Sequence, residues 1–404
     1  MNNKELDKIL SDHKNWILGK ENGKRANLRN ANLKGTYLKD AILIRADLTF
    51  ANLKEANLTG AILRDSELKG ANLIGANLRN ADLTRAILIN SDLKGANLIG
   101  AILIDSDLTR ARLKDSELEG ADLTRANLRS ADLKGADLKN AILTRADLGH
   151  ANLNGANLKN AILTGANLTF AHIKDANLKG AILKDSDLAR ADLTRAVVRA
   201  ADLTRANLKG ADLTRAILID SDLKGANLTD AILIDSDLAF ANLTRAVLID
   251  SDLTRADLVG ADLKDSDLVF ANLTRANLTS ADLTRANIKG ADLKGANLKD
   301  SDLKGSDLKE ANLTGAILTS ADLTFANLKE ANLTDAILVN SDLTRANLTG
   351  AILIGANLTF ANLKEANLTD AILINSDLAK ANLIGAILID SDLKGANLTG
   401  AILK

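Results

Sequence analysis

The amino-acid sequence predicts an all-β fold, a coil whose chain turns a corner every five residues. Two observations predict it. From Ala26 to Lys404 every fifth residue is small, 61 times Ala, 14 times Ser and once Thr (Thr36). Two residues after each comes Leu, 73 times in 76, with Ile173, Val198 and Ile288 as exceptions. The phase holds to the last residue without an insertion or deletion. A period of five fits neither a helix at 3.6 nor an alternating strand at 2.0. It fits a path in which the small residue and the Leu face inward on each side of the coil.

The other three positions agree with that path. The second is usually Asp or Asn, and the fourth is rich in Thr, Lys and Ile. The fifth holds 23 of the 26 glycines, where a tight turn calls for positive φ. The unit, as in Ala51-Asn52-Leu53-Lys54-Glu55, resembles the pentapeptide-repeat family, whose signature is A-(D/N)-L-x-x. The resemblance covers about 94 % of the chain, 76 units in phase. It implies a right-handed quadrilateral parallel β-solenoid with four units per coil, hence about 19 coils. At the ~4.8 Å strand spacing such a rod is about 90 Å long.

One coil cannot hold itself. Its four buried leucines contribute roughly 6–12 kcal/mol, whereas ordering 20 backbones costs on the order of 20–40 kcal/mol. Hydrogen bonds and packing between neighbouring coils make up the difference, so the ends are the weak points.

Residues 1–25 are expected to form a helical cap on a solenoid of residues 26–404. Leu6, Ile9, Leu10, His13, Trp16 and Ile17 recur at helical spacing, and Gly19 is a stop signal. An amphipathic helix there covers the first coil's leucine layer and its unpaired edge. His13 and Trp16, the only Trp, are assigned to cap packing. At the other end the chain stops within a repeat at Ala401-Ile402-Leu403-Lys404. The last coils carry outward isoleucines, among them Ile387, Ile389 and Ile402, so this end is expected to meet a second copy or a partner.

Composition narrows the function. There is no cysteine and no proline, and aromatic residues make up 2 % of the chain. Thiol nucleophiles, thiolate metal ligands and disulfides are thereby excluded. The longest apolar runs are four residues, so no segment spans a bilayer, and the N-terminus lacks the apolar core of a signal peptide. A cytoplasmic protein is expected. No nucleophile–base pair, metal cluster or glycine-rich phosphate loop stands out, so no catalytic residue, cofactor or metal is assigned. His150 and His172, 22 residues apart, are nearly one coil from each other. Without a third ligand they make a poor metal site. The serines that follow Asp or Asn, as in Asp105-Ser106-Asp107, replace an inward Ala and are expected to bond to nearby backbone.

Some proteins of the resembled family mimic a DNA duplex and bind type II topoisomerases, which requires a strongly acidic exterior. Here 51 basic residues offset 52 acidic ones, and each of the four faces comes out within four charges of neutral. A duplex carries one charge per ~1.7 Å. No basic stripe for phosphate appears either, which argues against direct nucleic-acid binding. The remaining hint is apolar. Ile142, Ile162 and Ile182 fall one coil apart on one face, with Ile42, Ile62 and Ile102 earlier in the same column, and contiguous apolar surface marks contact sites. The six Phe all occupy fifth positions but scatter over three faces, which favours packing at corners. The expected function is therefore a non-enzymatic scaffold for an unknown protein partner, self-associating through its C-terminal coil. The alternative is a topoisomerase-binding DNA mimic.

Overall fold

In the computed structural model, which describes residues 1–404, the chain opens with one helix, α1 (Asn3–Ile17). Asn2 caps it, its side chain accepting the Glu5 N–H at 2.9 Å, and Glu5 and Lys14 lie at the ends that the helix dipole favours. The helix stops where Leu18 donates back to Lys14 and Gly19 takes a φ of +68°. The chain after the helix returns close against it: a Cβ on Gly23 would lie 2.2 Å from the Trp16 backbone nitrogen.

Everything after α1 is built from one unit. The chain divides into two compact parts, Met1–Asp202 and Leu203–Lys404. In the first, every bridge is parallel and joins residues twenty apart, from Asn27–Asp47 to Ile182–Asp202. In the second the same holds from Asn207–Asn227 to Asn382–Ile402. Each coil therefore contains four pentapeptides, and each strand is reduced to a single bridging residue between corners. The architecture is a parallel β-solenoid.

The backbone accounting shows why five residues suffice. Leu33 N–H donates forward to Asn52 O at 2.8 Å, Asn52 N–H donates back to Ala31 O at 2.9 Å, and Gly35 N–H donates forward to Lys54 O at 2.9 Å. Ala31 N–H closes the turn on Leu28 O at 3.1 Å. The fourth N–H goes to a side chain, as Arg29 N–H does to Asn27 Oδ1 at 3.2 Å. That bond explains the Asp or Asn of the second position: it is an Asx turn that satisfies the one amide the ladder leaves over.

The turn explains the fifth position and changes the expectation. All 23 fifth-position glycines from Gly35 to Gly400 have positive φ, and so do 52 other residues, from Asn30 to Asp390. The conformation belongs to the position, not to glycine. Asn and Asp tolerate it well, whereas Arg, Phe and Glu bear a real cost there.

Inward, the leucines and small residues from Leu43 to Leu383 are sealed from water. The inward serines act as expected: Ser66 and Ser106 each donate to the carbonyl three residues back at 2.6 Å. Leu28, Leu33, Leu38 and Leu43 of the first coil are buried. Past Leu383 the inward residues open, Leu398 being 36 % and Leu403 56 % exposed.

Candidate functional site

Side chains at the fifth position lean along the stack toward the next coil. The Asp40, Asn80 and Asp115 side chains lie over Gly60, Gly100 and Gly135. Phe50, Phe240 and Phe270 lay their rings on Gly70, Gly260 and Gly290, where an added Cβ would meet ring carbons at 2.5–2.8 Å. The other three meet cations twenty residues on: Arg190 over Phe170, Arg345 over Phe325 and Lys380 over Phe360, at 5.5, 5.5 and 4.9 Å. The phenylalanines do pack at corners, but on the outside, 42–63 % exposed.

The same lean pairs Asp with an Arg one coil on. Arg85 meets Asp65 at 2.6 Å, Arg125 meets Asp105 at 2.7 Å, and Arg195 meets Asp175 at 2.6 Å. In the second part, Arg255 pairs with Asp235 at 2.6 Å and Arg285 with Asp265 at 2.7 Å. In each case the hydrogen bond from the guanidinium, ahead of the opposing desolvation, holds the Asp below the usual carboxylate range. These exposed pairs fix local charge and contribute little stability.

Second-position residues form ladders. Asn157 donates to Asp137 at 2.9 Å while Asn177 donates to Asn157 at 3.2 Å; in the second part Asn347 donates to Asn327, which donates to Asp307. Ile142, Ile162 and Ile182 bridge in succession. The first two are half-buried and Ile182 is 38 % exposed. In the second part of the chain, the same place in the twenty-residue register carries a feature that summing charge over a face conceals. Asp262, Asp282, Asp302, Asp322 and Asp342 bridge one after another, an unbroken acidic row of five. Lys264 borders it, 2.8 Å from Asp282.

At the N-terminal end His13 is fully buried and accepts the Ala26 N–H on Nδ1 at 3.0 Å. It takes the place of the turn carbonyl, three residues back, that accepts the first-position N–H in later units. Its ring lies 5.5 Å from that of Trp16, 14° from parallel. Burial, partly opposed by the Ile44 carbonyl and reinforced by Arg25, lowers the imidazole pKa. Nε2 is buried without a hydrogen-bond partner. Leu6 is also buried, while Ile9, Leu10, Trp16 and Ile17 are half-buried. At the C-terminal end Ile387, Ile389 and Ile402 are exposed.

His150 and His172 do not face each other. His150 stacks on Phe170 at a corner, whereas His172 bridges Asn152 and Asp192 on a strand. No three His, Asp or Glu side chains converge as metal ligands would.

With this geometry in view, comparisons with known proteins are informative. The family model described as Pentapeptide repeats matches residues 26–65, 66–105, 101–145, 141–180, 171–210, 199–233, 231–268, 261–300, 296–335, 326–364 and 361–400. Among solved structures, similarity is found to HetL, a pentapeptide repeat protein involved in heterocyst differentiation regulation from the cyanobacterium Nostoc sp. strain PCC 7120. Identity is 34 %, covering 61 % of this chain and 89 % of HetL, with a TM-score of 0.23. Rfr23 from the cyanobacterium Cyanothece 51142 is 33 % identical over 29 % of this chain and 91 % of its own, with a TM-score of 0.20. QnrB1, a plasmid-mediated fluoroquinolone resistance protein, is 21 % identical over 48 % of this chain and 90 % of its own, with a TM-score of 0.24. No curated protein matches the chain.

Proposed function

The chain belongs to the pentapeptide-repeat family, and from that premise we propose that it is a non-enzymatic protein-binding scaffold. Proteins of this family fold as right-handed β-solenoids and are in general structural or interaction proteins. Residues 1–25 serve as the cap, and residues 26–404, at four units per coil, provide about 19 quadrilateral coils for display.

One observation carries the reading. Outward residues repeat in register every twenty positions, so any side chain choice becomes a row along the stack. The Ile142, Ile162 and Ile182 row is such a surface, apolar and continuous. Self-association through the last coil is the second element. There Ile387, Ile389 and Ile402 are exposed, an apolar surface that a second copy would cover. No helix is long and apolar enough to cross a membrane.

Light scattering at tens of micromolar tests this. The expected mass is twice the 42.7 kDa of one chain, returning to a single chain when Ile387 and Ile389 are replaced by Lys. A one-chain mass for the unaltered protein contradicts self-association.

The row from Asp262 to Asp342 favours a second reading, a DNA mimic that binds a type II topoisomerase. It ranks below the first because its charges fall one per ~4.8 Å, against one per ~1.7 Å on a duplex. Protection of gyrase supercoiling from a quinolone at stoichiometric protein would reverse the order.

A further inference from the structure

In the second part of the chain, one corner carries an open trough of about 400 Å³ lined by Thr254, Arg255, Thr274, Arg275, Lys294, Gly295, Thr314, Gly315 and Asp335. Its cause is readable in the chain. Along this corner the fifth positions run Arg255, Arg275, Gly295, Gly315, Asp335, so two successive coils lack the side chain that elsewhere lies along the stack. Nothing stands within 4 Å of where a Cβ on Gly315 would be. From Arg255 to Asp335 the trough spans about 19 Å, the length of roughly six extended residues.

Its charge is one-sided. Arg255 is engaged with Asp235 and forms a wall. Arg275 makes no ion pair and lines the trough, its Cγ 3.7 Å from the Cβ position on Gly295. The Lys294 ammonium is also without a carboxylate partner. The Thr274 hydroxyl donates to no acceptor. Asp335 closes the far end but leans away, its carboxylate over Gly355. The open space is thus bordered by two free cations and a free hydroxyl.

We infer that this trough binds an extended acidic peptide segment, with Arg275 and Lys294 taking successive carboxylates and the glycine floor admitting the peptide backbone. The inference rests on the scaffold reading and names the chemistry of one partner. A peptide fits better than a nucleic-acid duplex. A duplex offers phosphates along its whole length and needs many cations to gain affinity, whereas only two are free here, bounded by Asp235 and Asp335.

The test uses the full chain and fluorescein-labelled hexaglutamate, followed by fluorescence anisotropy at low salt, with hexaglutamine as the neutral control. Saturable binding is expected, weakening as salt rises and absent for hexaglutamine. Arg275→Gln with Lys294→Gln is expected to weaken it at least tenfold. Gly315→Asn, which fills the trough with a residue that Asn340 and Asn375 show to be at home in this turn, has the same expected effect. Gly120→Asn, on the first part of the chain, leaves binding unchanged. Absence of binding, or equal binding by all variants, overturns the inference. So does tighter, Arg275-dependent binding of a 12-base-pair duplex. A failure here with a two-chain mass intact rejects the trough alone, whereas hexaglutamate binding with a one-chain mass rejects self-association alone.

Discussion

Phe170 lies flat against His150, their ring centroids 5.0 Å apart and their planes 1° from parallel. Arg190 covers the other side of Phe170. Three consecutive coils are thus joined at one corner by side chains alone, outside the backbone ladder. Replacing Phe170 by Asn, which suits the φ of +57° at that site, removes both contacts. A loss of about 1 kcal/mol is expected, read as faster hydrogen exchange at the amides of residues 150 and 170. Unchanged exchange would show the stack to be ornamental.

The amide ladder has a direction. Asn157 must donate to Asp137 and accept from both Asn177 and the Lys159 amide. Asn157→Asp sets two carboxylates against each other and is expected to cost about 1–2 kcal/mol at pH 7. Protonation relieves the clash, so the deficit shrinks as the pH falls toward 4. Urea melts at pH 7 and pH 4 measure it; a deficit that grows on acidification contradicts the ladder.

Turn strain is a property of position. Gly120→Ala meets no neighbouring atom, so its expected cost of about 1 kcal/mol is conformational. Ser280→Gly, at a φ of +56°, is expected to stabilise by roughly 0.5 kcal/mol, the relief of strain exceeding the entropy lost by the unfolded glycine. Paired thermal melts decide. Stabilisation by Gly120→Ala together with destabilisation by Ser280→Gly would remove the turn assignment.

The cap is sensitive to pH. Burial depresses the His13 pKa below its ordinary value near 6.5, so the unfolded segment takes up a proton first. Docking is therefore at full strength above about pH 6.5 and weakens as the pH falls below it. A protonated Nδ1 also cannot accept the Ala26 N–H. Trp16, the only tryptophan, reports the change: its emission is expected to shift red between pH 7 and pH 5. His13→Leu leaves the Ala26 amide unpaired, costs about 1–3 kcal/mol, and removes the pH dependence. A pH response that survives His13→Leu assigns it elsewhere.

The interior of this molecule is legible in the chain because Leu and Ala carry it alone. Leu53 and Ala51 have one role each, and the five-residue phase states both. The exterior is less legible, for a physical reason. Which way Phe170 or Arg275 leans depends on the left-handed turn, which repeats at every corner and leaves no mark of its own in the residue types. The row from Asp262 to Asp342 escapes a face-by-face sum because Lys264, Arg285, Lys304 and Arg345 offset most of it. Gly23 reads as an ordinary loop glycine until the backbone of Trp16 is seen against it. The trough at Gly295 and Gly315 needs both the lean and the register before it becomes visible.

The account stands on residues twenty apart being lateral neighbours, and disulfide trapping measures that directly. The protein contains no cysteine, so paired substitutions report without background. Ile142→Cys with Ile162→Cys places two thiols on bridged residues, within the 4.4–6.8 Å Cα separation a disulfide spans. Rapid oxidative closure of that pair is expected, with none for pairs fifteen or twenty-five apart, Ile142→Cys with Asn157→Cys or with Asn167→Cys. Closure of either control pair as fast as the twenty-residue pair would contradict the four-unit coil and every surface row derived from it.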